Sequence, residues 1–275
     1  SKGQDSVEIY QPVSLCTLNI IMRCAFSYDD DIQREEEKNR YVKAVSTITK
    51  LIAKRFHSPL MYFDTLYYAT KDGKEFKALC EYTHQVAYEL IEKRQQTLDR
   101  TPDSIKKRYM DFLDILLLAR DESGAGLSNL EMRQEVDSFL FAGHDTTASA
   151  ISWCLYHMAK HPDIQDHVVG ELQSIVEGRD FNHLVWDDLA VMPYLTKCIK
   201  ESLRLAPPVV YISRQLDAPL EIDGVKLLPG TFVDISIWAV HHNEHVWGKN
   251  HMEYDPERFN SENLNKMDPF AFIPF

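Results

Sequence analysis

The segment Ala142-Gly143-His144-Asp145-Thr146-Thr147 lies midway along the longest helical pattern in the sequence. Ser128 and Glu131 match a capping box at the start of this pattern, which continues without a break to Lys160. At about 1.5 Å per residue such a helix is roughly 50 Å long, enough to cross a whole domain. The sequence therefore predicts a long central helix with unusual residues at its middle.

The middle of this helix combines small and polar side chains. Gly143 in a helix interior costs up to about 1 kcal/mol, and Asp145, Thr146 and Thr147 are poor helix formers. The Thr146 hydroxyl can donate to the Ala142 carbonyl four residues back, which loosens and bends a helix. Such an opening suits a planar cofactor and a diatomic ligand, with Asp145 and Thr146 as an acid–alcohol pair for proton transfer. A buried helix bent only for packing explains the spacing equally well.

Other helices are predicted from apolar spacing and from proline positions. Pro162 and Pro193 suit the first positions of two helices, which Gly178 and Pro207-Pro208 are expected to end. Before the central helix, the spacing of apolar residues predicts helices over 7–26, 36–56, 74–98 and 110–119.

After the last of these helices the pattern changes to β-structure. Asp223-Gly224, between two short apolar runs, predicts a hairpin turn. The β-branched and aromatic residues over 231–238 predict a further strand. We therefore predict a mainly α fold of the α+β class, with a long central helix and a small late β-sheet. We find no linker that marks a domain boundary, so we expect a single domain over 1–275, cut at both ends.

Composition and charge exclude several classes of protein. The 275 residues are 44% hydrophobic and 26% charged, which is typical of a globular domain. A net charge of −12 argues against a nucleic-acid partner, and the short basic run over 105–108 is interpreted as a solvated loop. The five cysteines form no C-x-x-C pair, which favours reduced thiols facing the cytosol. No apolar run reaches the roughly 18–20 residues that cross a bilayer.

Three further motifs follow the central helix in order. Glu201-Ser202-Leu203-Arg204 places opposite charges three residues apart, which alone is a common surface pair. Pro256-Glu257-Arg258-Phe259 and Phe272-Ile273-Pro274-Phe275 come next. Together with the segment at 142–147, these motifs resemble the cytochrome P450 superfamily of haem-thiolate monooxygenases. The resemblance implies a partial cytochrome P450 fold over the whole chain, and it is looser before residue 110.

Family four of the superfamily, the fatty-acid ω-hydroxylase branch, is the most similar. The stretches that carry this similarity include Ile212-Ser213-Arg214 and His241-His242-Asn243. The same family pattern has histidines at its first two positions without a metal, so we interpret His241-His242 as loop structure. His157 and His161 are four residues apart on a helix, but no glutamate follows His157 as a zinc protease requires. His144 is interpreted as a packing or hydrogen-bonding residue.

The resemblance implies roles for particular side chains. Asp145 and Thr146 would handle oxygen and proton delivery, and Ala142 and Gly143, together with Thr146, would lie against the haem. Arg214 would bind a haem propionate through its paired donors. The resemblance also implies that an apolar substrate pocket is lined by Val209, Val210 and Ile212. It further implies a buried ionic triad that shapes the proximal side of the fold, formed by Glu201, Arg204 and Arg258.

Two departures from the family pattern affect the cofactor. Many family-four members carry a glutamate, ester-linked to the haem, where this chain has Ala142, so we expect non-covalent haem b. The axial cysteine of the family lies about seven residues beyond Phe275, so no metal ligand is predicted within the chain. We therefore expect the chain alone to be inactive. The helices and membrane anchor that precede Ser1 in the family are missing too.

The implied reaction inserts one oxygen atom from O₂ into a C–H bond of a fatty acid or related lipid. Electrons would come from NADPH through NADPH–cytochrome P450 reductase. The expected location of the parent protein is the cytosolic face of the endoplasmic reticulum membrane, with membrane association through the missing N-terminus. The alternative is a truncated, haem-free helical protein that binds a lipid or a partner.

Overall fold

The structure is a computed structural model that describes residues 6–28, 35–100, 110–176, 178–179 and 184–274. Short 3-10 helices lie at Pro59–Tyr62, Trp186–Val191 and Pro256–Phe259. The α-helices in chain order are α1 (Tyr10–Phe26), α2 (Glu35–Phe56), α3 (Asp64–Ala69), α4 (Lys71–Arg100), α5 (Phe112–Leu118), α6 (Asn129–Lys160), α7 (Pro162–Ile175), α8 (Pro193–Leu205), α9 (Ile237–His241), α10 (Glu244–Trp247) and α11 (Ser261–Lys266).

The central helix α6 begins at the predicted capping box. The Ser128 backbone N–H donates to Glu131 Oε2 at 2.8 Å, and the Glu131 N–H donates to Ser128 Oγ at 3.3 Å. These two bonds satisfy donors that the first turn of a helix leaves unpaired. From there α6 is α-helical without interruption to Lys160, so the long central helix is confirmed. The local opening predicted near Thr146 does not break the helix.

The chain divides into two compact units, Ser1–Ala148 and Ser149–Phe275. In the first unit, α1 packs on α2 and α5, and α4 packs on α2, α3 and α5. Arg94 on α4 donates to both carboxylate oxygens of buried Asp114 on α5, at 2.7 and 2.6 Å. The apolar core of this unit includes Leu18, Met22, Phe26, Tyr41, Val45, Leu90, Ile91, Leu113, Val136 and Leu140.

The second unit has two smaller apolar clusters. One lies where α7 meets α8 and contains Ile164, Val168, Cys198 and Tyr254. The other contains Trp247, Phe259 and Ala271. Pro162 and Pro193 occupy the first turns of α7 and α8, as predicted. However, α7 ends at Ile175, before the expected stop at Gly178.

The β-structure of the second unit consists of four short strands: β1 (Tyr211–Gln215), β2 (Leu220–Ile222), β3 (Val225–Leu227) and β4 (Phe232–Ser236). Asp223 and Gly224 turn the β2–β3 hairpin with φ of 49° and 79°, as the Asp-Gly signal predicts. Strand β1 was not predicted and pairs antiparallel with β4, placing Arg214 opposite Val233. The predicted single late sheet is therefore, among the described residues, two separate two-stranded sheets. A mainly α fold with a small amount of late β-structure is confirmed.

Three predictions concern features other than the helices and strands above: the basic run, a membrane-spanning helix and the number of domains. The basic run over 105–108 and the final residue Phe275 lie outside the described residues. Within the part of the chain that the structure describes, no helix combines the length and the apolar character needed to span a membrane. A single domain over 1–275 stays a prediction, and each of the two units is described by itself.

Candidate functional site

Two of the predicted oxygen-handling residues, Ala142 and Thr146, lie on one face of α6, in the first unit. Thr146 Oγ1 donates to the Ala142 carbonyl at 2.7 Å, which is the bond predicted from the four-residue spacing. Ala142 is exposed and Thr146 is half-buried. This face of α6 thus presents a methyl group and, one turn further on, a hydroxyl group whose proton is held by the helix backbone. Because Ala142 lacks a carboxyl group, it cannot form an ester to any bound group.

Gly143 faces α1 rather than open space. A Cβ atom placed on Gly143 would come within 2.8 Å of Ile21 Cδ1 and 2.9 Å of Ile21 Cγ1. Real Cβ atoms do not approach other heavy atoms that closely, so glycine is required for α1 and α6 to pack here. The structure therefore gives Gly143 a packing role. Contact of Gly143 with a cofactor stays a prediction.

Asp145 pairs with α1 through a long-range hydrogen bond. Tyr10 Oη donates to Asp145 Oδ1 at 2.5 Å. Burial raises the pKa of Tyr10 well above its ordinary value, and the hydrogen bond and the negative charge of Asp145 raise this pKa further. The phenol therefore keeps its proton at neutral pH and acts as the donor. The acid of the predicted acid–alcohol pair is bonded to Tyr10, and no bond joins it to Thr146 among the described residues.

The Tyr10–Asp145 bond is part of a polar contact between α1 and α6, here called the polar seam: Tyr10, Ser14, Thr17, His144 and Asp145. Thr17 Oγ1 donates to the His144 carbonyl at 2.9 Å. The Ser14 hydroxyl is buried and has no hydrogen-bond partner in the described residues. Sequence reasoning missed this seam. The signal in the sequence was the spacing of Tyr10, Ser14 and Thr17, four and three positions apart, which places them on one face of α1.

His144 is a buried core residue, as predicted. Its side chain is 1% exposed, and Nδ1 lies 2.7 Å from the Leu140 carbonyl. The ring also lies against Tyr41, with centroids 5.8 Å apart. Burial lowers the pKa of His144 below its ordinary value, so the ring is neutral at physiological pH.

In the second unit, Glu201 and Arg204 form a buried ion pair on α8. Both side chains are 0% exposed, and Arg204 donates to the two Glu201 oxygens at 2.7 Å each. The same guanidinium donates to the carbonyls of His241, His251 and Glu253. Arg204 therefore joins α8 to the segments on either side of α10. Sequence spacing alone favoured a surface pair, because burial depends on these distant segments.

Arg258 completes the group of three charged side chains. Its Nε lies 3.4 Å from Glu201 Oε1, and its two Nη atoms donate to the carbonyls of Trp247 and Asn250. The Asp255 backbone N–H also donates to Glu201 Oε1 at 3.0 Å. Burial raises the pKa of Glu201, while the two guanidinium groups act in the opposite direction. Glu201, Arg204 and Arg258 are hereafter called the buried triad. Each of these side chains is paired with an opposite charge within the group.

The predicted propionate and substrate residues lie on and before strand β1. Ile212 and Arg214 point to the same face of β1 because strand side chains alternate. Val210 is exposed, and Val209 and Ile212 are half-buried. Arg214 is exposed and donates from Nη1 to the Ser213 carbonyl at 2.8 Å. Among the described residues, Arg214 pairs with no carboxylate, so its remaining donors are open.

No metal ligand set exists among the described residues. His157 stacks on Tyr254 with ring centroids 4.6 Å apart, and burial lowers the pKa of His157 to about 4. Cys198 is fully buried, and burial raises the pKa of its thiol to about 11. Desolvation also raises the pKa values of Cys80 and Cys154, which disfavours the thiolate form that binds metals. These residues pack or hydrogen-bond instead.

Comparison with known proteins identifies the class to which this fold and these motifs belong. The sequence model described as "Cytochrome P450" matches residues 1–275. The chain therefore belongs to the cytochrome P450 family, and the resemblance inferred from the motifs is confirmed.

Curated relatives at about 40% identity belong to one branch of that family. Over its whole length the chain is 42% identical to "Cytochrome P450 4F6" of Rattus norvegicus, covering 52% of that protein. It is 42% identical to "Leukotriene-B4 omega-hydroxylase 3" of Mus musculus, covering 53% of it. It is 40% identical to "Cytochrome P450 4F2" of Homo sapiens, covering 54% of it. The chain thus spans about half the length of the curated relatives it matches.

Solved structures agree with this assignment. A cytochrome P450 named CYP102L1 superposes with a TM-score of 0.79 at 26% identity, over 98% of this chain and 59% of that one. The P450DA heme domain superposes with a TM-score of 0.73 at 23% identity, over 100% of this chain and 56% of that one. At such low identity the second likeness shows the fold alone.

Proposed function

We propose that this chain is the oxygen-handling and scaffolding part of a haem-thiolate monooxygenase that hydroxylates fatty acids or related lipids. The observation that carries the proposal is the exposed face of α6, where the Thr146 hydroxyl donates to the Ala142 carbonyl beside Asp145. Membership of the cytochrome P450 family supports the class of chemistry. The mouse relative named for leukotriene-B4 ω-hydroxylation supports a lipid as the substrate class.

Each unit, taken by itself, carries residues whose chemistry fits a contact that a haem group requires. Ala142 leaves the middle of α6 without a bulky side chain, so a flat ring can approach the helix backbone. Arg214 has donors left open for a carboxylate, as a propionate contact requires. The raised thiol pKa of Cys198 argues against this cysteine as the axial ligand. We propose that the axial thiolate comes from beyond Phe275 and that haem b is held without a covalent bond.

Haem, when bound, supplies the iron at which oxygen is activated. Thr146 would offer its hydroxyl on the side of α6 where Ala142 leaves space, and the hydroxyl is oriented because Oγ1 donates to the Ala142 carbonyl. Asp145 supplies a carboxylate that can take up and release a proton near this hydroxyl. Val209, Val210 and Ile212 offer apolar surface to a lipid chain. The buried triad of Glu201, Arg204 and Arg258 holds the fold of the second unit without taking part in the chemistry.

The same proposal extends to the partners of the parent protein. We propose NADPH–cytochrome P450 reductase as the electron donor, O₂ as co-substrate and the cytosolic face of the endoplasmic reticulum membrane as the location. A nucleic-acid partner is not proposed, because the net charge is −12. Without an axial cysteine, we expect residues 1–275 alone to have no monooxygenase activity.

The experiment is a reduced carbon-monoxide difference spectrum of the chain expressed with its own flanking coding sequence, hereafter the extended protein. We expect a thiolate-type band, together with hydroxylation of fatty acids by NADPH and reductase. An extended protein that is folded but binds no haem would refute the proposal. That outcome would favour the rival reading of a haem-free helical protein, which lipid-binding measurements on the same sample then test.

A further inference from the structure

Tyr10 and Asp145 form a hydrogen bond that the proposed function does not use. Their side chains meet at 2.5 Å although 135 positions separate them in the sequence. Tyr10 lies in the first turn of α1 and Asp145 at the middle of α6, and both belong to the first unit. A phenol donating to a carboxylate is a charge-assisted bond, which is stronger than a bond between neutral groups.

Only one of the two carboxylate oxygens of Asp145 is used by this bond. Oδ1 accepts from Tyr10, whereas Oδ2 has no hydrogen-bond partner among the described residues. The adjacent hydroxyl of Thr146 is held by the Ala142 carbonyl. Asp145 is therefore anchored through one oxygen and open at the other, and the open oxygen belongs to the residue next to Thr146.

The anchor is rigid because α1 itself is fixed against α6. Thr17 donates to the His144 carbonyl two turns along α1 from Tyr10, and Ile21 fills the space that Gly143 leaves one turn further. Ser14, between Tyr10 and Thr17, is 1% exposed. The first turns of α1, which carry Tyr10, are therefore held close to α6 by this packed contact.

We propose that Tyr10 is a positioning residue for Asp145: it fixes Oδ1 so that Oδ2 stays oriented for proton transfer towards the Thr146 side of α6. The kinetic part of this inference rests on the proposed function, since it assumes that Asp145 takes part in proton delivery. The hydrogen bond itself does not depend on haem. A competing explanation is that Tyr10 only ties α1 to α6, and the two explanations differ in what removal of the hydroxyl does to turnover.

The first test measures the pKa of the Tyr10 phenol and does not require enzyme turnover. The extended protein is labelled with tyrosine carrying ¹³C at Cζ, and the Tyr10→Phe variant assigns the Tyr10 signal. We expect the pKa of Tyr10 to lie above those of the exposed tyrosines and to fall in Asp145→Asn, because the neutral amide removes the charge that favours the protonated phenol. An unchanged Tyr10 titration in Asp145→Asn would overturn the proposal.

The second test compares turnover in single and double variants of the extended protein. We expect Tyr10→Phe to lower kcat by about three- to ten-fold, in line with the loss of one charge-assisted bond, and to leave KM unchanged. In an Asp145→Asn background, Tyr10→Phe is expected to have no further effect on kcat. Tyr88→Phe is the matched control, because Tyr88 is 40% exposed and its hydroxyl has no hydrogen bond among the described residues.

The outcomes separate this inference from the proposed function. Equal effects of Tyr10→Phe on kcat in both backgrounds, or an equal effect of Tyr88→Phe, would show a structural tie only and overturn the positioning role. If the extended protein binds no haem, the proposed function fails, while the Tyr10 titration still reports whether the bond to Asp145 exists. A folded protein that binds haem but in which the pKa of Tyr10 is not raised gives the opposite result: it supports the proposed function and contradicts the positioning role of Tyr10.

Discussion

The polar seam of the first unit and the buried triad of the second unit use charge in opposite ways. In the seam, Tyr10 is the one hydrogen-bond partner of the Asp145 carboxylate among the described residues, and the second oxygen is open there. In the triad, Glu201 is 0% exposed and is met by Arg204, Arg258 and the Asp255 N–H. A group with an unused acceptor can take part in chemistry, whereas a group whose every acceptor is engaged can only hold structure. Under the proposed function, this difference distinguishes a carboxylate that is open to chemistry from one that only holds the fold.

The largest expected effect comes from stranding the buried carboxylate. Arg204→Met leaves Glu201 fully buried and with fewer donors, so we expect the free energy of unfolding to fall by about 3–5 kcal/mol. Lys249→Met is the control, because Lys249 is an exposed cation of the same unit and is expected to change stability by less than about 0.5 kcal/mol. Urea unfolding of the extended protein measures both. Equal losses in the two variants would contradict the assignment of Arg204 to a buried scaffold.

Acid is expected to weaken the triad region next. His241 contacts Arg204 through its carbonyl, and its Nε2 accepts from the Ile273 N–H at 3.0 Å. Burial lowers the pKa of His241 to about 4, from its ordinary value of 6.5. The unfolded chain therefore binds a proton first, so this stability is present above pH 6.5 and is lost as the pH falls towards 4.

The measurement is urea unfolding at pH 7.5 and pH 5. One such histidine is expected to remove about 2 kcal/mol between these values. His241→Gln keeps a side-chain acceptor but does not titrate, so its stability is expected to depend less on pH. His157, whose pKa is also about 4, contributes in the same direction and remains in both proteins. A pH dependence that His241→Gln leaves unchanged would contradict the assignment.

A smaller effect is expected where α1 crosses α6. Gly143→Ala forces a Cβ against Ile21, and overpacking of this kind costs about 1–3 kcal/mol. Alanine also favours the helix by up to about 1 kcal/mol, so we expect a net loss of about 1–2 kcal/mol. Gly170→Ala on α7 is the control, because among the described residues no atom outside its own helix turn lies within 4 Å of the new Cβ, and stability is expected to rise. Ile21→Val in the Gly143→Ala background is expected to recover part of the loss.

Removal of the Thr146 hydroxyl is expected to change stability least, but to change strongly how much of the reducing power ends up in product. Thr146→Ala removes a hydroxyl whose hydrogen bond, within the described part of the chain, goes to its own helix, so we expect the free energy of unfolding to change by less than about 1 kcal/mol. In the extended protein, reducing equivalents are expected to be lost as hydrogen peroxide instead of appearing as product. Thr147→Ala, at an exposed neighbouring position, is the control. Unchanged coupling of NADPH use to product in Thr146→Ala would remove Thr146 from the mechanism.

Local sequence patterns predicted the helices well because helix ends are set by nearby residues. Ser128 and Glu131 satisfy each other's backbone donors, and Pro162 and Pro193 fit first turns where no N–H is needed. Strand β1 is not predicted by the sequence because the strand with which it pairs, β4, lies about twenty residues further along the chain. The family was recognisable from motifs whose identity and order are properties of the sequence itself.

The sequence by itself determined the central helix, the Thr146–Ala142 bond and the absence of an esterifying carboxyl group at Ala142. Each of these depends on residues within one or two helical turns. Only the tertiary structure decided that Tyr10 donates to Asp145 and that the packing of Ile21 requires glycine at position 143. It also decided that Arg204 donates to three backbone carbonyls far from it in the sequence. Those contacts join residues far apart in the chain. Their existence depends on how whole helices pack, which no local pattern specifies.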